Sequence, residues 1–340
     1  MTSREFAEMI GVSQPSVSRA LNGEIGLSEE KRKYILEKAA EYGFVLNSQA
    51  RSLKIHRTQT IGVIFPQHFD SLSKNLMFTF LYDSLQKELI KYNYDIMIIG
   101  SNKDGEQPMD ALERIVRSGK IDGIINFRSG LTENQIDLIH NCKIPFVSLH
   151  TGLQKKEKLH QILLDDFHVG YEVGMFFSKF PDRRNVYLGV TEKNGVKPLR
   201  LQGFEKALKE TGKPLPSEDL FSCDLSMTAG EDAVNKNKEY FMGKAINMFV
   251  YNDLIAVGAV NAMLNIGIQI PGQVQIVGLD DIPLASWLHP QLTTMRPPIS
   301  EMVKYACQLL INLTEKDIKP EIRYYQAELI QRETTLILSN

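Results

Sequence analysis

Residues 2–22 read TSREFAEMIGVSQPSVSRALN, and the rest of the chain is organised around them. The stretch reads as two short helices joined by a tight turn. Thr2 and Glu5 form the T-x-x-E pattern, in which a capping hydroxyl and a third-position carboxylate satisfy each other's free backbone N–H groups. Phe6, Met9 and Ile10 come next at i, i+3 and i+4, one apolar stripe. Gly11 stops the helix, Val12 gives the turn an apolar anchor, and Ser13 can cap the second helix. In that helix Val17, Ala20 and Leu21 share a face. Pro15, Ser18, Arg19 and Asn22 lie roughly opposite, with Gln14 beside them in the first turn. Pro15 is tolerated because a first-turn residue has no intrahelical N–H bond to lose. A small polar face with one guanidinium suits a helix laid in the DNA major groove, where Arg can pair bidentately with guanine. Helical hairpins with one polar face are also common in proteins that never touch DNA, so the periodicity alone is weak evidence.

The whole chain has 340 residues, room for two or three domains, and an ordinary 43% hydrophobic content. Its net charge of −2 argues against a nucleic-acid binder taken as a whole, but the charge is uneven. Residues 1–57 carry 9 Lys/Arg and 7 Asp/Glu, a net of +2, and the remainder carries 30 and 34, a net of −4. Arg51, Lys54 and Arg57 occur with no acidic residue between Glu41 and Asp70, a pattern for phosphate contact or for a solvated linker. No run of apolar residues is long enough for a membrane span, and no signal peptide is apparent, so a cytoplasmic protein is expected. Cys142, Cys223 and Cys307 are far apart and odd in number, which suits reduced thiols better than a disulfide frame or a metal site.

The wording of residues 11–23, GVSQPSVSRALNG, resembles the helix-turn-helix of the LacI/GalR (lactose-repressor) family, whose pattern is G-V-S-x-x-T-V-S-R-x-L-N. Ser16 stands where Thr is usual. The resemblance continues through AEYGFVLNSQARSLK (40–54), PQLTT (290–294) and ELIQRETT (328–335). It implies a DNA-contacting set of Ser13, Gln14, Pro15, Ser16, Ser18, Arg19 and Asn22. It also implies a hinge helix, with Asn47, Ala50, Arg51, Leu53 and Lys54 meeting DNA and Leu53 wedged into the minor groove. A helix this short is marginal alone in water, and family members order it against its twin in a dimer. Leu46 departs from the Pro usual before the Asn. The tail after Arg332 has no heptads, which favours a homodimer over a tetramer.

Between the two helices of the turn and this hinge, Ser28 can cap a third helix with Ile35, Ala39 and Tyr42 as its stripe and Gly43 as its end. From Thr60 apolar strand runs alternate with helical stretches, the rhythm of doubly wound parallel sheets. The expected fold class is α/β: an N-terminal three-helix module, then a two-lobed doubly wound domain of the periplasmic-binding-protein type. The expected domains are residues 1–46 for DNA binding, 47–59 for hinge and linker, 60–160 with a return segment 292–320 for the first lobe, and 161–291 with 321–340 for the second. The family pattern places the crossings near residues 158–162, 288–293 and 318–324.

Ligands in such sheets bind beyond the carboxyl ends of the strands. Asp165, Arg200, Asn252 and Asp280 stand at such ends, and carboxylates, an amide and a guanidinium together can grip vicinal hydroxyls. Asp166 and Asp253 read as helix caps, and Asp281 as a loop tie. The four matched family positions imply effector contacts: Asp165 with Gly170 in D-N-x-x-x-G, Arg200 with Gly203 and Phe204 in R-x-x-G-F, Asn252 in N-D, and Asp280 in G-[FY]-D-[DN]. Phe69, Phe127 or Phe221 could cover apolar ring faces of a sugar.

The expectation is a non-enzymatic, ligand-controlled regulator, a repressor of carbohydrate-utilisation genes. Its partners would be double-stranded operator DNA, a small sugar-like effector and a second copy of the chain, with no membrane, metal or cofactor. A sugar-binding protein of the same fold without gene regulation is the alternative. No G-x-G-x-x-G after a strand, P-loop, G-x-S-x-G elbow or H-E-x-x-H spacing points to an enzyme.

Overall fold

The first helix, α1 (Ser3–Met9), starts with the complete capping box: Thr2 accepts from the Glu5 N–H and donates its own N–H to the Glu5 carboxylate at 2.8 Å. The structure is a computed structural model describing residues 1–22, 25–45, 57–65, 76–100, 108–128, 131–150, 152–153, 158–190 and 197–337. Gly11, at φ +70°, turns the chain into α2 (Gln14–Asn22). Ser28 caps α3 (Glu29–Glu41), whose Tyr34 hydroxyl donates to the Ile10 carbonyl at 3.1 Å. The core is Phe6, Ala7, Ile10, Val17, Ala20, Ile35, Ala39 and Phe44. Two expectations shift here. Met9 and Tyr42 face solvent, and Ala7 and Phe44 take the inner places. The cause is Gly43: its left-handed φ of +59° reverses the chain so that Phe44 stacks on Phe6 with ring centroids 4.1 Å apart.

Two six-stranded sheets make up the rest. The strands of the first are β1 (Thr60–Ile64), β2 (Asp95–Ile99), β3 (Gly123–Asn126), β4 (Phe146–Leu149), β5 (His160–Leu164) and β11 (Ile322–Tyr325), in the order β11-β5-β4-β3-β1-β2. Those of the second are β6 (Arg184–Val190), β7 (Leu220–Cys223), β8 (Ile246–Val250), β9 (Val274–Leu279), β10 (Thr293–Arg296) and β12 (Glu328–Ile330), in the order β12-β10-β9-β8-β6-β7. All ladders are parallel except β10–β12. Helices α4 (Leu76–Leu89), α5 (Pro108–Arg117) and α6 (Glu133–Asn141) cover the first sheet. Helices α7 (Asp166–Ser178), α8 (Leu199–Glu210), α9 (Met227–Lys236), α10 (Lys238–Phe241) and α11 (Asp253–Asn265) cover the second. Central strands such as β5, β8 and β9 are buried at every residue, as strands covered on both faces must be.

The lobes divide differently from the expected boundaries. Strand β5 pairs with β4 and β11, so it belongs to the first lobe and the crossing falls after Leu164, not at 158–162. Strand β10 pairs with β9, so the second lobe keeps the chain to Arg296. The return at Pro297-Pro298 leads into α13 (Ile299–Leu313), which packs on the first lobe through Met302, Val303, Ala306, Leu309 and Leu310. The third crossing lies between Tyr325 and Glu328, because β11 and β12 sit in different sheets. Beyond Leu279 the chain thus adds α12 (Pro283–Trp287), β10, α13, β11 and β12, which the sequence pattern did not anticipate. LTT and ETT interlock: the Thr293 N–H donates to Thr334 Oγ1 at 2.8 Å, and Thr293 and Thr335 share a 2.9 Å hydroxyl bond. Among the described residues no helix is long and apolar enough to cross a membrane.

The closest helix contact in the second lobe joins α7 to α8. A Cβ on Gly170 would lie 1.8 Å from the Arg200 carbonyl, and one on Gly203 would lie 1.9 Å from the Phe167 carbonyl. The two backbones therefore touch at reciprocal glycines. Gly170→Ala is expected to cost at least about 2 kcal/mol, since the obstacle is backbone and cannot rotate away. Urea unfolding of the variant measures it. A midpoint equal to wild type would show that the helices are not in this contact.

Candidate functional site

Arg200 leaves the first turn of α8 and is 7% exposed. Its Nε donates to Asp166 Oδ1 at 2.6 Å, its Nη1 donates to the Tyr251 carbonyl at 2.7 Å, and its guanidinium lies 4.2 Å from the Tyr251 ring centroid. Burial works against this charge, but Asp166, Tyr251 and Asp280 outweigh it and raise the guanidinium further. Three strand or helix ends are thus tied to one cation: the start of α7, the end of β8 and the end of β9. The α7–α8 glycine contact makes this possible by bringing Asp166 and Arg200 onto adjacent helix ends.

In each adjacent pair the residue expected to cap a helix does not, and its neighbour does. Asp165 caps α7, accepting from the His168 N–H at 3.0 Å, while Asp166 is the partner of Arg200. Asn252 caps α11, accepting from the Ile255 N–H at 3.1 Å. Asp253 is not a cap: it is fully buried, accepts from Thr294 Oγ1 at 2.6 Å and from the Ile282 N–H at 3.1 Å, and burial raises it well above the carboxylate range. It ties the segment after β9 to β10. Asp281 does tie its loop, accepting from Arg296 and Arg332 at 2.5 Å each. Between these braces Asp280 holds a left-handed φ of +116°, unusual for a residue with a side chain. Burial raises Asp280 to about 7; Arg200 and the Asn252 side chain hold it down and Asp166 pushes it up.

On the first lobe the facing strand ends are Asn126-Phe127-Arg128 and His150. The Phe127 ring, 2% exposed, stacks on Phe65 at 5.4 Å and forms floor, not wall. The His150 N–H donates to the Ile162 carbonyl at 2.7 Å. Its ring feels both Asp166 and Arg200, which places it across the cleft from the second lobe. Burial first, and then Arg200, lower it to about 4 against the pull of Asp166. His150 was open to sequence reasoning, since it comes directly after the apolar run of β4 as Asp280 does after β9. Phe221 is a correction: its ring packs against Tyr240 at 4.9 Å and Phe241 at 5.4 Å, in the cluster beside the Arg184–Asp219 pair that starts β6. The aromatic ring beside Arg200 is Tyr251 instead. Phe69 lies outside the described residues.

In the N-terminal module Ser13, Gln14, Pro15 and Arg19 are exposed, and Ser18 and Asn22 on the same helix are half-buried. Asn22 Nδ2 donates to Ser18 Oγ at 3.2 Å. Ser16 is 6% exposed and shares a 2.8 Å hydroxyl bond with Ser13, so it braces the turn instead of lying on the open face. Asn47, Ala50, Arg51, Leu53 and Lys54 lie outside the described residues. The linker beyond them is fixed to the amino end of the first sheet. Asp122 accepts from the Thr58 N–H at 2.7 Å, the Thr58 hydroxyl at 2.9 Å and the Gln59 N–H at 2.8 Å. Arg57 donates to Glu315 at 3.5 Å and to the Thr314 carbonyl at 3.4 Å.

Two cleft groups give a signed pH dependence. His150 is depressed on folding, so its contribution to stability rises with pH between about 4 and 6.5. Asp280 is raised, so its contribution is largest below its unfolded value and falls as pH rises toward about 7. Asp280→Asn removes only the falling part. Its stability relative to wild type should therefore grow from pH 5 to about 7 and then level off, as read from denaturant midpoints. A difference independent of pH would contradict the burial of that carboxyl.

A family model described as a periplasmic binding protein-like domain matches residues 182–335. Over its length the chain is similar to the HTH-type transcriptional regulator RegA of Clostridium saccharobutylicum, 28% identical over 98% of each chain. Its fold matches the lac repressor dimer bound to operator and the anti-inducer ONPF, with TM-score 0.81 and 19% identity over 99% of each chain. It also matches the transcriptional regulator CelR in complex with cellobiose, with TM-score 0.72 and 19% identity over 98% of this chain and 99% of that one. With motifs running from Gly11 to Thr335 and end-to-end similarity to such a regulator, the chain is similar throughout to HTH-type transcriptional regulators, and it shares the two-lobed fold of the lac repressor.

Proposed function

We propose that the chain is a ligand-controlled repressor whose homodimer binds a palindromic operator and changes affinity when a small sugar-like effector enters the cleft. The observation that carries this reading is the buried, pre-oriented Arg200, flanked by Asp166, Asn252 and Asp280, in a chain that also presents a helix-turn-helix module. Hydroxyl groups of a sugar pair well with such fixed donors and acceptors, and the similar proteins are regulators, one of them bound to a sugar.

Dimerisation fits the apolar side chains left exposed: Phe80 and Tyr82 on α4, Ile98 on the edge strand β2, and Leu225, Met227 and Trp287 on the second lobe. An edge strand with exposed apolar neighbours among the described residues is a surface that a second copy of the chain would cover. Two protomers then set their α2 helices in successive major grooves. An effector that prefers one lobe arrangement shifts the population toward it, and the linker held by Asp122 and Arg57 moves with the first lobe. The hinge segment 47–54, which by family resemblance enters the minor groove, is carried along with that linker.

The test uses the full-length protein and an operator selected by it from random DNA. Arg19→Ala should weaken binding to that operator by about 1–3 kcal/mol and relax its sequence preference, as loss of one bidentate base contact does. Arg200→Ala should lose the response of operator binding to the effector. Unchanged sequence preference in the first variant would remove Arg19 from base reading. A normal effector response in the second would put the ligand elsewhere.

A further inference from the structure

Arg128 takes no part in the contacts that build the cleft, yet the first lobe fixes the backbone that carries it. The Asn126 side chain, 0% exposed, grips both backbone groups of Arg128: Nδ2 donates to the Arg128 carbonyl at 3.0 Å, and the Arg128 N–H donates to Oδ1 at 3.2 Å. Asn126 is itself fixed by a 3.2 Å bond to Ser148 Oγ. The Arg128 guanidinium is half-buried, and desolvation lowers it with no opposing charge among the described residues. Asn126 and Ser148 are register partners on β3 and β4. Arg128 and His150 therefore each stand two residues past that pair, after neighbouring strands at the carboxyl end of the sheet. The His150 ring is enclosed, and its Nδ1 has no protein partner among the described residues.

A partly desolvated guanidinium without a counter-ion is unfavourable, and its planar fork suits bidentate pairing with a carboxylate or phosphate. Arg200 cannot play this part equally well, because Asp166 already neutralises it at 2.6 Å. We infer that the effector carries an anionic substituent, a carboxylate or a phosphate on a sugar-like frame, and that Arg128 receives it with His150 alongside. This rests on the proposal that the cleft binds a sugar-like effector. The hydroxyls of the ligand then face Arg200, Asn252 and Asp280 on the second lobe. The charged end faces the first lobe, so each end of one ligand holds a different lobe and closure becomes ligand-dependent.

Isothermal titration of the full-length protein against matched hexoses, hexuronates and hexose 6-phosphates tests this. The acidic member of the recognised pair should bind about tenfold or more tighter than its neutral partner, the order expected for one hydrogen bond to a charged group. The uronate and phosphate arms tell the two anions apart. Arg128→Gln should bring the acidic-to-neutral ratio toward one, and Arg128→Lys should keep part of it. Neutral sugars binding as tightly as acidic ones, or a ratio unchanged in Arg128→Gln, would overturn the inference and leave the sugar reading standing. No binding by any sugar, neutral or acidic, would overturn both.

Discussion

The contact between α7 and α8 is the constraint on which the functional half of the molecule depends. Gly170 and Gly203 let the two backbones touch, and that contact brings the Asp166 carboxylate to the Arg200 guanidinium. Arg200 then reaches the Tyr251 carbonyl at the end of β8. A guanidinium this buried needs its partners, since removing one leaves an uncompensated charge inside the protein. The same few residues also end β5, cap α7 through Asp165 and form the first crossing between lobes. Buried ion pair, helix cap and lobe junction are one local structure.

The two ends of the first sheet do different work. Its carboxyl end carries Arg128 and His150 toward the cleft. At its amino end Asp122 takes three hydrogen bonds from the linker. The Thr314–Glu315 turn that holds Arg57 comes directly after α13, and the chain then runs through β11 to the third crossing. A rearrangement of the lobes about the crossings thus has a short covalent route to the segment that positions the DNA-binding module. Packed elements with two discrete arrangements transmit such changes better than a soft linker could.

Much of this was legible in the sequence, for physical reasons. The capping box at Thr2 and Glu5, the stops at Gly11 and Gly43 and the alternation of strands and helices are local, and local chemistry decides them. The strand-end rule picked out Arg200, Asn252 and Asp280, and the fold sets these three near one another. What failed was tertiary. Which of two neighbouring acids caps a helix and which turns to Arg200 depends on where α8 lies, so Asp165 and Asp166 exchanged roles, and Asp253 went inward to Thr294. Lobe membership of β5 and β10 depends on pairing, which an apolar run does not encode. Phe221 joined Tyr240 and Phe241 because β7 is an edge strand with α10 beside it. His150 and α13 obey the same rules as their neighbours but were not read from the sequence.

The central claim is that one molecule couples the cleft to DNA. Binding linkage makes that claim reciprocal: an effector that changes operator affinity by some factor must have its own affinity changed by the operator by the same factor. The direct measurement is effector titration of the full-length protein with and without saturating operator, paired with operator titration with and without saturating effector. Equal factors, both different from one, are the predicted result. An effector affinity indifferent to operator would contradict the coupling, whatever the cleft binds.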